Sequence, residues 1–257
     1  EIRLSLVGSE MCIRDSLYAV LGTLENLCEI VPEASAMLTN TKPISIGFEV
    51  KDGPSATITF KNGRCRMEQG VSKCDVKLPF SSCEKFNGLI DGTVTPIPSK
   101  GFQHIKFLLK TFTPLTDLLA KYMRPSPEDL QDRTFFEQST TLMLYTIAVA
   151  ISQIANNDKI GQFSASHIVD GEIGFGIKDG PAVTIRAKNG RLVTIKKRCE
   201  NPRAEMEFAS MDLARDLFDG KINAVACIGM GAITMKGMIS MIDNMNRLLD
   251  RVALYLA

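Results

Sequence analysis

The chain has 257 residues, of which 45% are hydrophobic and 23% charged, and its formal net charge is +1. Such a composition is typical of a globular protein, and the length is enough for two domains of ordinary size. A nearly neutral chain has no general field that attracts nucleic acid, so we expect no nucleic-acid partner. The seven cysteines form no C-x-x-C pair. They therefore argue against a zinc site and a disulfide framework, and favour a reducing cytoplasm.

Residues 1–16 (EIRLSLVGSEMCIRDS) are expected to lie outside the fold, because their ending resembles translated sequencing-adapter sequence and the chain does not open with methionine. A signal peptide is the competing interpretation. Glu10, Arg14 and Asp15 interrupt the apolar stretch that a signal peptide needs. On the first interpretation, the natural N-terminus and any signal on it are missing from this sequence.

An internal repeat organises the remaining chain. Residues 46–64 (IGFEVKDGPSATITFKNGR) and 173–191 (IGFGIKDGPAVTIRAKNGR) are identical at 13 of 19 positions, at an offset of 127. Residues 80–92 and 208–220 match again at an offset of 128. We predict two tandem domains, 17–124 and 125–257. Pro125 marks their boundary, and Ser126 is expected to cap a new helix with Pro127 in its first turn.

Within each copy, alternating apolar residues are interrupted by Asp-Gly and Asn-Gly, which predicts a meander of three antiparallel strands. A further strand is predicted at 74–78 and at 204–208, followed by a helix capped by Ser82 or Ser210. In copy two, residues 224–229 and 232–237 are predicted to form the last strand. A long amphipathic helix with a methionine-rich apolar stripe closes the chain. The fold class is α+β.

The longest uncharged run is QSTTLMLYTIAVAISQIANN, residues 138–157. Polar residues flank its strongly apolar centre on both sides. We therefore predict a buried helix of a water-soluble domain and not a membrane span.

Several motifs in order along residues 173–256 resemble the sterol carrier protein two family: KDGP, AEMEF, a capped helix that ends in DGK, GAITMKG and the terminal amphipathic helix. The resemblance implies about five mainly antiparallel strands backed by helices, with an apolar tunnel for fatty acyl chains, sterols or similar molecules. Copy one departs from the pattern, because only TVTPIPSK separates Gly92 from Gly101 where sixteen residues separate Gly220 from Gly237. Copy one is therefore expected to be degenerate and to lack part of its last strand, and we place the ligand site in copy two.

The resemblance assigns the tunnel lining of copy two to apolar residues of the sheet and of the helices that follow it. The same residues are also expected in a plain core, and both interpretations stay open. The predicted ligand-binding residues are Phe175, Ile177, Val183, Ile185, Phe208, Ile233 and Met235 from the sheet, and Leu217, Met238, Ile242 and Met245 from helices.

The predicted function is non-enzymatic binding or transfer of an apolar, lipid-like ligand. A regulatory or assembly module with a filled core is the alternative, and a lipid-acting enzyme is a weaker one. We predict no catalytic residue, metal or cofactor, because His104 and His167 stand at unmatched positions and no nucleophile or phosphate-loop motif occurs. Lys196, Lys197 and Arg198, with Arg203, form a basic cluster. This cluster predicts either a transient contact with a membrane surface or a solvated turn.

Overall fold

The structure, a computed structural model, describes Tyr18 and residues 21–71, 73–90 and 93–256. The segment 1–16 and the start of the first helix of copy one lie outside the described residues. The chain divides into two compact units, the first ending at Gln138 and the second beginning at Ser139. The domain limits 17–124 and 125–257 remain predictions.

In the first unit, two short helices precede the sheet, and a third helix follows it. These elements are α1 (Thr23–Ile30), α2 (Pro32–Thr39), β1 (Ile44–Val50), β2 (Ser55–Lys61), β3 (Arg64–Gln69), β4 (Val76–Phe80) and α3 (Cys83–Ile90). The sheet order is β3-β2-β1-β4, and β1 pairs antiparallel with β2 but parallel with β4. The three-strand meander is therefore confirmed, whereas the fourth strand begins two residues later than predicted.

A composite helical stretch follows the sheet of the first unit. It consists of a 3-10 turn (Phe102–His104), α4 (Ile105–Phe107), a π-helical turn (Leu108–Phe112) and α5 (Thr113–Met123). A π-helical turn inserts one extra residue and shifts which face the following residues present. Residues beyond Leu108 therefore no longer correspond one to one with those of the closing helix of copy two.

Two helices again precede the sheet of the second unit, and the first of them begins at Arg133, before the unit boundary at Ser139. The elements are α6 (Arg133–Asn157), α7 (Lys159–Ser166), β5 (Gly171–Ile177), β6 (Ala182–Lys188), β7 (Arg191–Ile195), β8 (Ala204–Phe208), α8 (Met211–Phe218), α9 (Ala224–Gly229), β9 (Ile233–Gly237) and α10 (Ile239–Leu256). The strand order β7-β6-β5-β8-β9 repeats the order of the first unit and adds β9 at one edge.

The two sheets share their register as well as their order. The pair Ile44 and Phe60 in the first sheet corresponds to Gly171 and Ala187 in the second, at the offset of 127 found in the sequence. The hairpin turns also match, because Asn62 and Asn189 both adopt a positive φ, of 52° and 51°, and each is followed by a glycine with positive φ. Two consecutive positive φ values are typical of the type I′ turn that Asn-Gly favours. The α+β fold in two copies is thus confirmed.

The last strand of copy two is shorter than predicted. Residues 232–237 contain β9, but the prediction of a strand at 224–229 is wrong, because this segment forms α9. The Asn223 side-chain oxygen accepts hydrogen bonds from the backbone N–H groups of Val225 (2.9 Å) and Ala226 (3.2 Å), which caps the helix. A short apolar run does not by itself distinguish a strand from a helix.

In copy one the last strand is reduced to a single bridge between Lys77 and Lys100. Gly101 and Gly237 occupy the same place in the two copies, with φ of 89° and 90°. A Cβ atom would lie 2.3 Å from the carbonyl oxygen of Asp75 at Gly101, and 2.2 Å from that of Arg203 at Gly237. Both the left-handed conformation and the close backbone approach therefore require glycine. Copy one retains the end of the strand and has lost the rest, as predicted.

The outer edge of β4 carries a proline where copy two has Glu207. Lys77 directs both its N–H and its carbonyl toward residues 99–100 at the outer edge. Because backbone direction repeats at every second residue of a strand, Pro79 faces the same edge. Pro79 has no N–H to leave unpaired there, whereas Glu207 stands opposite Thr234 of β9. Within the described residues, the loss of the fifth strand is thus matched by a residue that discourages pairing with another chain.

Replacing Pro79 with threonine is expected to increase self-association of the chain, because the substitution restores an outward N–H on this edge. The free energy of unfolding should change by no more than about 0.5 kcal/mol, since the side chain is exposed. Sedimentation velocity over a concentration series measures the effect. Pro127→Thr, an exposed proline outside the sheet, is the control. Equal sedimentation of both variants and the parent chain would refute the role given to Pro79.

The apolar run at 138–157 lies in α6, and the prediction of a buried helix is confirmed by Leu142, Leu144, Ile151 and Ile154, which are fully buried. Asp132 caps this helix, its carboxylate accepting from the N–H groups of Thr134 (2.8 Å) and Phe135 (3.1 Å). Ser126 caps instead the short turn before it, accepting from the N–H of Asp129 at 3.2 Å. Among the residues that the structure describes, no helix combines the length and apolar character needed to cross a membrane.

Candidate functional site

The seven predicted sheet residues of copy two lie on one face of its sheet. Phe175 pairs with Val183, and Ile177 pairs with Phe208. Phe208 is in turn opposite Ile233 of β9. Residues that face each other across paired strands, and every second residue along a strand, point to the same side. Ile185 and Met235 complete this apolar face, which is buried except at Met235, where the side chain is half-buried.

Aromatic rings are in contact along the middle of this face. The rings of Phe175 and Phe208 lie edge to face with centroids 5.5 Å apart, and Phe208 contacts Phe218 of α8 at 5.7 Å in the same way. Met206 lies between Phe175 and Met235 in the register and is buried. Sequence reasoning did not select Met206, although its alternation with Phe208 along β8 gives the signal.

The predicted helical residues are divided between two elements. Ile242 and Met245 lie on the buried side of α10, together with Met241 and Leu248, and α10 packs on β8 and α7. Met238 immediately precedes α10 and is half-buried. Leu217 lies on α8, which packs on β8, and is also half-buried. The structure therefore places both helices in contact with β8. The role of these residues as ligand contacts remains a prediction.

An ion pair fastens the closing helix to the start of α7. The Arg251 guanidinium on α10 donates to the Asp158 carboxylate at 2.8 Å, and the Asp158 side chain is only 2% exposed. The other Asp158 oxygen accepts from the N–H groups of Ile160 (2.6 Å) and Gly161 (3.3 Å), which caps α7. One carboxylate thus stabilises a helix start and holds the helix that covers the sheet.

The two copies differ in side-chain volume at one end of this apolar face. Phe60 of copy one is fully buried, and its ring lies 5.5 Å from that of Phe107 and 6.1 Å from that of Phe112. Ala187 stands at the equivalent position of copy two. Three aromatic rings are therefore in contact at this position of copy one, whereas copy two has only the methyl group of Ala187 in place of the Phe60 ring.

A neighbouring position changes in the same direction. Val76 of copy one corresponds to Ala204 of copy two, on the adjoining strand at the same end of the sheet. The exchange is reversed farther along, where Ala56 corresponds to Val183. The side chains of copy two are therefore smaller only at this end of the face, at Ala187 and Ala204. Aligning residues 46–64 with residues 173–191 gives the signal for Ala187, but sequence reasoning did not use it.

A buried polar cluster links α8 to α6. The Arg215 guanidinium is almost fully buried and pairs with both carboxylate oxygens of Asp219, at 3.1 and 2.8 Å. It also donates to the Ser139 hydroxyl at 2.9 Å. Partial burial raises the pKa of Asp219, but hydrogen bonds from Arg215 and Lys221 outweigh it and hold that pKa below its ordinary value.

This cluster is satisfied by the protein itself. The bidentate pair with Asp219 matches the fork of the Arg215 guanidinium, so Arg215 holds α8 to α6 and is not set up as a ligand head-group anchor. Because the folded pKa of Asp219 is lowered, its contribution to stability is present above the ordinary carboxyl pKa and is lost as the pH falls through the lowered value.

The basic cluster is largely engaged in contacts within the second unit. Arg198 pairs with Glu207 at 3.0 Å and donates to the Ile177 and Gly180 carbonyls, while Arg203 donates to the Asp170 carbonyl at 2.6 Å. Lys197 lies 3.8 Å from Glu200. The two arginines therefore order the loop between β7 and β8, which favours the solvated-turn interpretation. The predicted contact with a membrane surface remains untested.

The two histidines lie in separate places. His104 ends the 3-10 turn of the first unit, and His167 lies at the C-terminal end of α7, with its Nδ1 2.8 Å from the Phe163 carbonyl oxygen. Across the described part of the chain, no group of three or more His, Cys, Asp or Glu side chains is arranged to hold a metal ion.

No protein-family model and no curated protein matches this chain. Among solved structures it is similar to sterol carrier protein domain 2 of Helicoverpa armigera, with 20% identity over 43% of this chain and 88% of that chain and a TM-score of 0.35. Sterol carrier protein 2 from Yarrowia lipolytica, in its apo form, gives 18% identity over 42% and 91%, with a TM-score of 0.32. The inverting sec-alkylsulfatase Pisa1 from Pseudomonas sp. gives 8% identity over 56% and 28%, with a TM-score of 0.26. The chain is a tandem α+β protein with similarity to sterol carrier protein 2 domains.

Proposed function

We propose that copy two binds or transfers an apolar, lipid-like ligand without altering it chemically, in the space between the sheet and α10. The observation that carries this proposal is the continuous apolar face of the sheet of copy two, together with α10, which packs on β8 and buries Met241 and Met245. Methionine is unbranched and adaptable, and suits a surface that receives varied apolar shapes. The place of the ligand is the end of the face where Ala187 and Ala204 replace larger residues of copy one.

Area burial supplies the binding energy in this proposal. Burying a long acyl chain gains roughly 0.8 kcal/mol per methylene, before the costs of association and ordering are subtracted. No charged anchor is needed, which agrees with an Arg215 that is already paired. The protein acts in the cytoplasm and makes at most transient contact with a membrane surface through Lys196 and Lys197.

A filled core in a regulatory or assembly module is the second candidate. The edge-to-face contacts from Phe175 through Phe208 to Phe218 favour it, because these rings occupy part of the interior themselves. A lipid-acting enzyme is the third and weakest candidate, since the predicted lining is apolar throughout. It would be supported only if turnover of acyl esters or thioesters copurified with the chain.

Native mass spectrometry of the gently purified full chain, followed by solvent extraction, tests the proposal. We expect adducts in the mass range of fatty acyl or sterol-like molecules, and uptake of a fluorescent fatty acid by chain from which the lipid has been removed. The filled-core candidate predicts neither adduct nor uptake. A folded chain that yields no lipid on extraction and takes up none of a panel of acyl and sterol probes would contradict the proposal.

A further inference from the structure

Two cysteines of the first unit lie side by side in its interior. Cys28 on α1 and Cys65 on β3 are both buried, and their Sγ atoms are 3.8 Å apart, with the Cys65 thiol donating to the Cys28 sulfur. The cysteines are 37 residues apart in the chain, and folding alone brings them together. A disulfide requires an Sγ–Sγ distance of about 2 Å, so the two sulfur atoms have to approach each other by about 1.8 Å to form the bond.

The elements that carry the two cysteines are fixed to each other. The Glu25 carboxylate on α1 accepts a hydrogen bond from the Met67 backbone N–H on β3, two residues from Cys65. Helix α1 thus lies along β3, which is an edge strand of the sheet. The two thiols therefore meet in the folded chain without any rearrangement of the backbone elements.

Cys65 borders a groove that opens to solvent, whereas Cys28 lies behind it and does not line the groove. Cys65 contributes to the wall of a surface groove of about 450 Å³, whose rim carries charged residues of both signs from α1, β2 and β3. The volume of the groove is many times that of a peroxide molecule, which is little larger than water. The other cysteines whose side chains the structure describes, at positions 74, 199 and 227, do not line this groove.

We propose that Cys28 and Cys65 form an oxidation site at which a peroxide converts the two thiols into an intrachain disulfide. One sulfur attacks a peroxide oxygen and breaks the O–O bond, which leaves a sulfenic acid and one water. The second sulfur attacks the sulfenic sulfur, forms the S–S bond and releases a second water. The two thiols lose two protons and two electrons, and the peroxide takes up both.

The site is expected to respond slowly at neutral pH. The hydrogen bond to Cys28 and, next, burial raise the pKa of Cys65, so little of this thiol is present as the reactive thiolate. Oxidation would tie α1 to the edge strand beside the groove. Because this site lies in the first unit, it is independent of the ligand proposed for copy two.

The test treats the folded full chain with hydrogen peroxide, alkylates the remaining thiols and maps peptides under non-reducing conditions. We expect a linked pair of peptides that contains Cys28 and Cys65, with a mass lower by two hydrogen atoms and restored by a reductant. Circular dichroism before and after oxidation shows whether the fold persists. Alkylation at both positions after peroxide treatment, or linkage of Cys65 to a different cysteine, would overturn the proposal.

Single variants give the controls. Cys28→Ser and Cys65→Ser should each abolish the linked peptide, whereas Cys74→Ser, at another buried cysteine, should leave it unchanged. If serine at position 28 prevents folding, Cys28→Ala serves in its place. Sulfinic acid at Cys65 of the parent chain, without a disulfide, would also count against the proposal, because it would show that Cys28 does not intercept the sulfenic acid.

Discussion

Replacing Asp158 with alanine is expected to lower the free energy of unfolding of the second unit by about 3 kcal/mol. The substitution removes the cap of α7 and leaves the Arg251 guanidinium without its carboxylate partner at a site where the Arg251 side chain is only 24% exposed. Losing one member of a buried ion pair costs more than losing an exposed pair, because the remaining charge has been taken out of water. Urea unfolding, followed by hydrogen exchange in α10, measures the loss.

Two further variants separate the cap from the ion pair. Arg251→Met should retain the hydrogen bonds that cap α7 but leave the Asp158 carboxylate, which is only 2% exposed, without the Arg251 guanidinium, so it too should lower the free energy of unfolding. Arg247 pairs with Asp243 on the same helix, but both side chains are more than half exposed, at 57% and 58%. Arg247→Ala should therefore change stability by no more than about 0.5 kcal/mol. If Asp158→Ala were no more destabilising than Arg247→Ala, Asp158 would not fasten the closing helix.

Exchanging Ala187 for phenylalanine is expected to weaken uptake of a fluorescent fatty acid roughly tenfold or more, which corresponds to about 1.4 kcal/mol of binding free energy. The new ring would occupy the end of the apolar face where we place the ligand. Copy one accommodates a phenylalanine at the equivalent position, so the exchange is compatible with this fold. Overpacking is expected to cost about 1–3 kcal/mol of stability, so thermal unfolding should be recorded beside the binding isotherm.

The matched control adds the same ring on the surface. Ala253 is exposed on α10, and Ala253→Phe should leave both uptake and stability nearly unchanged. Phe60→Ala makes the reverse exchange in copy one; it should destabilise the first unit by about 3–5 kcal/mol without affecting ligand uptake by copy two. Undiminished uptake by a folded Ala187→Phe chain would show that the ligand does not bind at this end of the sheet.

Local signals predicted most of the fold. Alternating apolar residues and the Asn-Gly turns gave the hairpins, and the repeat offset gave the correspondence between the two sheets. The misassigned segment 224–229 shows the limit of such signals, because its apolar residues fit either structure until the Asn223 cap decides. Pairings across long stretches of chain, such as Asp158 with Arg251, leave no local signal and were not predicted.

The candidate site was predictable where it depends on strand alternation. Every predicted sheet residue from Phe175 to Met235 lies on the same face, because alternation fixes the side of the sheet. Alternation cannot tell whether the face borders a cavity or a packed core, since both demand apolar residues. The comparison of Phe60 with Ala187 adds information on volume, but it becomes meaningful only once the shared register is known.

The paired glycines Gly101 and Gly237 have a practical consequence for redesign. Copy one shows that eight residues before this glycine can be absent while the chain still arrives at the sheet in the same backbone conformation and continues into a helix. The part of this segment that precedes β9, between Gly220 and Ile233, is therefore a natural place to insert a peptide tag or to graft a loop, provided that β9 and Gly237 itself are kept.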